Sequence, residues 1–426
     1  MFNRREFLSA VGAGAAAASI NGASDLFAMQ PGRRKRMAIV TTVWRYQSHG
    51  QHMGDRFLHG YPMNGKWNKP ALDVVSLYVD QTPKGDLSRE RAEEFKFKVY
   101  PTVAEALRLG GNELAVDAVL VIGEHGDYPD NEYKQRKYPR YELFKKIVEV
   151  FEQDKKVVPV FNDKHLSWNW DWAKEMVDTS HAMGFPFMAG SSLPVTWRLP
   201  AIDLPWESEV EEAMGLAYGG VDSYDFHSLE VIQCMAERRK GGETGVAWVE
   251  AIRGDAVWKV HDSGSWDSGG WNPSLFEAAI SRSQQLVQPR AGFTHWKPTR
   301  QEIQNMVKDP VAYRFQYKDG TRASMLLFNG LVSDFTFAAK LKGQSEPIST
   351  LFHLPPLPNV QYSAILMSKV EGMFLTGKSP YPVERTLLTS GILASATKSL
   401  TLGKRLETPH LDVRYTAPRE STFCQT

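Results

Sequence analysis

Val157-Val158-Pro159-Val160-Phe161-Asn162-Asp163-Lys164-His165 joins a short β-branched run to a cluster of polar and ionisable side chains. Apolar runs of this length, without alternation, read as strands buried on both faces of a parallel sheet. In an open α/β sheet, ligands sit outside the carboxyl ends of the strands, so chemistry is presented directly after such a run. Lys164 stands there as a candidate proton carrier, with Asp163 and His165 beside it to tune it by charge and desolvation. The plainer reading is a solvated lysine in a strand-to-helix loop.

Outward from this stretch the chain alternates strand and helix. Strand-like runs are Met37-Ala38-Ile39-Val40, Val74-Val75-Ser76-Leu77-Tyr78-Val79, Phe97-Lys98-Val99-Tyr100, Val116-Asp117-Ala118-Val119-Leu120-Val121-Ile122, Val157 to Phe161, and Phe185-Pro186-Phe187-Met188-Ala189. Helical signatures separate them: Leu87 to Phe95, a capping box Thr102-Val103-Ala104-Glu105, Tyr141 to Phe151, and Trp170 to Met183. Strands joined through helices require right-handed crossovers and a mostly parallel sheet, so residues 37–204 are expected to form a doubly wound, Rossmann-like domain. Beyond Pro205 the pattern changes. Val311 to Tyr317, a turn at Lys318-Asp319-Gly320, and Ala323 to Phe328 read as an antiparallel hairpin, so residues 205–426 are expected to form an α+β domain on a largely antiparallel open sheet.

In this order the two halves resemble the glucose-fructose oxidoreductase, inositol dehydrogenase and MocA (Gfo/Idh/MocA) family. The segments that carry the resemblance are Val99 to Leu107, Val116 to Ile122, Asn162 to His165, and Phe374-Leu375-Thr376-Gly377-Lys378-Ser379-Pro380 with the helix to Lys398 and Gly403-Lys404. The resemblance implies that Lys164 matches the lysine of a Glu-Lys-Pro motif that binds a substrate hydroxyl and relays its proton. Asp163 falls on the glutamate, and His165 replaces the proline. A hydride leaves a carbinol carbon readily only if the hydroxyl proton is removed, which requires a base or relay within hydrogen-bond reach.

The family's Asp-x-x-x-His helix matches Gly219 to Glu230 with His227 on the histidine. Ser223 stands four residues before it, and Asp222 and Asp225 lie on either side of Ser223. On a helix Asp222 is rotated about 100° from the Ser223 face, so the usual pair is not reproduced, and a core or capping role for His227 stands beside the catalytic one. His165, Asp222, Arg198 and Trp266 are candidate substrate contacts. Arg198 lies in the segment by which the family leaves its first domain, and Trp266 in the Trp- and Gly-rich stretch Trp258 to Trp271, where an indole could stack on a sugar ring.

The resemblance implies NAD or NADP as cofactor. Asp80, at the end of the second run, takes the place of the ribose-binding acid and favours NAD, while Glu124 and His125 follow the fourth run, where family members meet cofactor and substrate. The first crossover departs from the family. Thr41-Thr42-Val43-Trp44-Arg45-Tyr46-Gln47-Ser48-His49-Gly50 carries bulky side chains where Gly-x-Gly-x-x-Gly would let backbone approach a diphosphate. Either Arg45 and the hydroxyls of Thr41 and Thr42 meet the phosphates, or the dinucleotide is not bound. His49, His52, Asp55 and His59 recur at spacings that suit one helical stripe, which gives a metal site as an alternative to loop lining and caps.

Composition bounds the rest. The 426 residues balance 50 Lys+Arg against 49 Asp+Glu, which gives no electrostatic reason to expect nucleic acid or anionic membrane as partner. Two cysteines, Cys234 and Cys424, make no disulfide framework. Residues 1–30 pair Arg4-Arg5 with an alanine-rich stretch and match a twin-arginine export signal, too short and too weakly apolar for an integral membrane span. The expectation is an exported, periplasmic or extracellular oxidoreductase that meets the twin-arginine translocation machinery. It would pass a hydride between a retained nicotinamide cofactor and a sugar, cyclitol or related polyol, and would be homo-oligomeric through the open sheet face. The alternatives are a redox-silent carbohydrate hydrolase, lyase or isomerase, with or without metal, and a saccharide-binding protein.

Overall fold

A computed structural model of the chain describes residues 33–294 and 296–425. The expected export signal lies outside the described residues. Arg34–Thr426 clusters as one compact unit, without a break near residue 204.

The order begins with β1 (Lys35–Thr41), α1 (His49–His59) and a hairpin of β2 (Tyr61–Met63) and β3 (Lys66–Asn68). It continues through β4 (Leu72–Val79), α2 (Ser88–Phe95), β5 (Lys98–Val99), α3 (Val103–Arg108), β6 (Ala118–Ile122), α4 (Arg140–Asp154), β7 (Val160–Asp163), α5 (Trp170–Met183) and β8 (Phe187–Gly190). The main strands form a parallel sheet in the order β5-β4-β1-β6-β7-β8. The strand order reverses between β1 and β6, which makes a crevice at their carboxyl ends. Alternate residues of β1 serve opposite faces: Ala38 and Val40 pack toward α3, α4 and α5, while Met37 and Ile39 pack toward α1. Both faces are covered, which is why these strands read as unbroken apolar runs.

The second sheet draws on β9 (Trp197–Leu199), β10 (Val210–Ala217), α6 (Tyr224–Ala236), β11 (Val246–Arg253), α7 (Asp255–Asp262), α8 (Pro273–Arg282), α9 (Arg300–Met306), β12 (Val311–Tyr317), β13 (Arg322–Leu327), β14 (Phe335–Leu341), β15 (Ile348–His353), α10 (Tyr362–Thr376), α11 (Glu384–Leu402) and β16 (Leu406–Glu407). Its order is β16-β11-β12-β13-β10-β14-β15-β9, antiparallel throughout except for the β10–β13 pair. The fold class expected from sequence is the one observed. The boundary expected at residues 204 and 205 is not: β9 already belongs to the second sheet, and α10 returns to the first, where Ile365, Leu366, Val370 and Phe374 pack with Met37 and Ile39.

Both faces of this sheet are covered. Tyr313, Phe315 and Met325 face α6 and α11, but Met214, Leu216, Ala312, Leu326 and Ala338 on the other face are covered by Val257 and Trp258 of α7, Leu275, Phe276 and Ile280 of α8, and Ile303 of α9. The stretch expected as a Trp-rich loop is thus partly helix, and the open face behind the homo-oligomer expectation is filled by the chain itself.

The first crossover is built by close packing. Trp44 is fully buried, and a Cβ at Gly54 would lie 2.4 Å from its ring. Gly54→Ala gains about 1 kcal/mol of helix propensity but overpacks at about 1–3 kcal/mol. The expected outcome is a lower urea midpoint, and a raised one would contradict this packing.

Candidate active site

A cavity of about 630 Å³ opens at the carboxyl ends of the first sheet and is closed by the second. Its floor is Gln47, His49, His52 and Met53 around the start of α1, Glu124 and His125 after β6, Asp163 and Lys164 at the end of β7, and Ser191 and Ser192 after β8. The roof includes Tyr218, Ser223, Tyr224, His227, Asp334, Phe335 and Tyr362.

Lys164 is buried, and its Nζ donates to Glu124 Oε1 at 3.4 Å. The other Glu124 oxygen accepts from Arg140 Nη2 at the start of α4, and Arg140 is wholly buried. Burial alone would push the Glu124 carboxyl up, but Lys164, Arg140 and the nearby imidazoles together hold it well below the usual carboxylate range. The triad fixes a lysine head at the cavity wall without leaving its charge unpaired.

Asp163 has no exposure, and its Oδ2 lies 2.6 Å from His49 Nδ1. His49 is the first residue of α1, behind the Ser48 cap, and its ring reaches Asp163 at the end of β7. The His49 backbone N–H donates to His125 Nδ1, and the two rings stand 5.0 Å apart, edge to face. Burial, then neighbouring charge, lowers His52 to about 3 and His125 to about 4, and drops His227 well below its usual value. These three imidazoles are neutral at pH 7. His52 Nε2 and His227 Nδ1 have no hydrogen-bond partner.

Several expected site residues are elsewhere. His165 is buried against Phe226 at 5.5 Å and is not on the cavity wall. Arg198 is buried between Phe352 and Phe423 and bonded to Asp203, a structural pin. Trp266 stacks on Arg314 at 4.4 Å on the far face of the second sheet. Asp222 accepts from Arg136 N–H and Gln135 Nε2, which latches the loop before α4 onto the turn that leads into α6. Asp225 caps the start of α6, taking the N–H groups of Asp222, Ser223 and Phe226 and the Tyr313 hydroxyl. The histidine stripe divides: His49 and His52 reach the cavity, but Asp55 pairs with Arg91 and His59 packs on Phe95. Among the described residues no cluster of three or more such side chains is arranged to hold a metal ion.

Burial, then Asp225, raises the Asp222 carboxyl to about 7. A raised acid contributes stability that is complete below the ordinary aspartate range and is lost as pH rises through the folded value. Asp222→Asn should therefore exceed the parent protein in stability at pH 8, with the difference narrowing below pH 7 and closing only by about pH 4 as the parent protonates. Denaturant titration at both pH values measures this.

The first crossover does not fit a diphosphate. Thr41 Oγ donates to Val43 O or Ile122 O, and Thr42 Oγ to Glu124 O at 2.7 Å, so neither hydroxyl is offered to a ligand. The N–H groups of Thr42, Arg45, Gln47, Ser48, His49 and Gln51 are all taken within the protein. Arg45 is exposed and pairs in backbone with Asp86. Asp80 takes the hydroxyls of Tyr78 and Tyr128, and Gln81 clasps the Asp127 backbone, so the loops after β4 and β6 are stitched together past the end of β1. Of the six residues expected to hold cofactor, Glu124 and His125 line the cavity.

This is a doubly wound, Rossmann-like sheet joined to a mixed sheet, with its cavity at the reversal of strand order. No family model matches the chain, and no curated protein matches it in sequence. Solved structures match its fold. GenD2 from gentamicin A biosynthesis, in complex with NAD, aligns at a TM-score of 0.54 and 11% identity over 88% of this chain and 96% of that one. Myo-inositol dehydrogenase from Lactobacillus casei, in complex with NAD(H) and myo-inositol, aligns at 0.52 and 11% over 88% and 97%. Scyllo-inositol dehydrogenase from the same organism aligns at 0.51 and 8% over 88% and 98%. At these identities the likeness is one of fold.

Arg140, Tyr224 and the pairing of His49 with Asp163 were not read from sequence as site features. An arginine opening a helix and a tyrosine beside a histidine carry no spacing signal, and the pairing spans 114 residues.

Proposed function

We propose that the chain is an oxidoreductase acting on a carbinol of a sugar, cyclitol or related polyhydroxylated molecule. The observation that supports this is the cavity wall where Lys164, fixed by Glu124, meets His49, His125 and His227 beneath an aromatic roof. Tyr224 stacks on Phe335 with 9° between the rings, a flat surface suited to the apolar side of a sugar ring. The Lys164 ammonium donates to the substrate oxygen, stabilising it as its proton leaves. The solved structures of this fold that hold NAD support a nicotinamide cofactor, whose ring supplies the hydride acceptor when bound. Glu124 and His125 are the cavity-lining residues that would meet it, and the diphosphate would need another seat than the first crossover offers.

The filled crossover favours a second reading, a redox-silent isomerase, lyase or hydrolase using the same acid–base groups. Ultraviolet absorbance of the supernatant from denatured protein, with turnover of myo-inositol and hexoses with and without NAD, separates the two. Released nicotinamide nucleotide or NAD-dependent turnover supports the oxidoreductase. A bare protein that converts a sugar without NAD establishes the second reading and removes the first.

We also propose that the chain is exported by the twin-arginine route to the periplasm or beyond. Arg4→Lys with Arg5→Lys should hold a tagged chain in the cytoplasm, and unchanged export in cell fractionation would end this proposal. Among the described residues no helix is long and apolar enough to cross a membrane.

A further inference from the structure

We propose that His49, oriented by Asp163, is the group that takes the substrate proton, leaving Lys164 to hold the oxygen. The inference rests on the acid–base cavity described above and goes beyond the role that resemblance assigns to Lys164 alone.

The geometry carries it in three steps. A carboxylate only accepts hydrogen bonds, so the 2.6 Å contact with Asp163 Oδ2 requires His49 Nδ1 to donate, which fixes the neutral ring as the Nδ1–H tautomer. The remaining nitrogen, Nε2, then carries a free lone pair on a ring that lines the cavity, with the side chain 22% exposed. Lys164 is engaged as an ammonium with Glu124, so it serves as a donor to oxygen and not as an acceptor of its proton. The division follows: the substrate O–H bond breaks, an Nε2–H bond forms, and the imidazolium that results is stabilised across Nδ1 by the buried Asp163 carboxylate. Asp163 Oδ1 has no hydrogen-bond partner, and Oδ2 is the oxygen that meets His49.

The surroundings suit this role. Around His49 stand His52 on its own helix, Glu124 and His125 after β6, Lys164 beside Asp163, and His227 on α6. His52, His125 and His227 are held neutral, and the two carboxylates Glu124 and Asp163 face the cations Lys164, Arg140 and the protonated His49. The position also accounts for the filled crossover. The first residue of α1, whose N–H a diphosphate would use in a glycine loop, here gives its N–H to His125 and aims its ring at Asp163.

The test uses full-length protein labelled with ¹⁵N-histidine. The proposal expects a Nδ1–H tautomer for His49 with a low-field proton absent from both His49→Gln and Asp163→Asn. With myo-inositol and NAD as probes, His49→Gln should lower kcat about 100-fold or more, leave KM within a few-fold, and remove the rise of kcat on the acid side of the pH profile. His59→Gln, on the same helix but outside the cavity, should do none of this. Diethyl pyrocarbonate should modify His49 with a rate that rises with pH, read by mass spectrometry without any substrate. An Nε2–H tautomer, an unreactive His49, or a His49→Gln protein with its acid limb intact overturns the proposal. If no variant and no parent protein turns over any probe, the oxidoreductase reading falls, while the tautomer and the modification rate still decide the dyad.

Discussion

Glu124→Ala lowers the free energy of unfolding by about 3–5 kcal/mol, the cost of breaking a buried ion pair from one side. Arg140 has no exposure and Lys164 only 3%, so removal of the carboxylate between them leaves two buried cations without their shared partner. Lys164→Met removes one charge from the same triad but leaves the Arg140–Glu124 pair intact, and its expected cost is much smaller. Chemical denaturation of both variants checks the asymmetry. If both lose the same amount, the carboxylate is not the hub of the group. The pH dependence has a definite sign. The folded Glu124 carboxyl lies below its ordinary value, so its contribution is complete above about pH 4.3 and is lost as pH falls toward the folded value. The gap between parent and Glu124→Ala should therefore narrow only in strong acid.

Lys164→Met is expected to cut turnover by about 100-fold or more while the protein remains folded. The methionine fills much of the lysine stem's volume, so the change is confined to the donor at the cavity wall. A KM that rises with kcat unchanged would place Lys164 in binding alone, and an unaltered kcat/KM would remove it from the mechanism. Steady-state rates with the polyol that first shows turnover decide between these.

The parallel sheet was legible because its strands are buried on both sides. Met37 to Val40 and Val116 to Ile122 are continuous apolar runs, and helix α5 carries its own cap, Asn169 accepting from the Trp172 N–H, and its own stop at Gly184. Thr102 likewise caps α3 through the Glu105 N–H, the first half of the expected capping box, while the Glu105 carboxylate takes the Thr102 hydroxyl. The covering helices of the second sheet were not legible, since Gly264, Gly269 and Gly270 masked the helical spacing of Val257, Trp258, Leu275, Phe276 and Ile280. At the site, proximity to a strand end brought Asp163 and Lys164 to the cavity as expected, whereas the residue types of Asp80, Arg198, Asp222 and Trp266 gave no hint that each was committed to another neighbour. Pairings such as Glu124 with Lys164 or His49 with Asp163 join distant parts of the chain, and only the folded sheet brings them together.

The helices laid over Met214, Leu216 and Leu326 give the chain internally what a second copy would otherwise supply. Any quaternary assembly must therefore be founded on surface other than that sheet, and a protomer diluted to nanomolar concentration should lose none of the burial that secures its larger half.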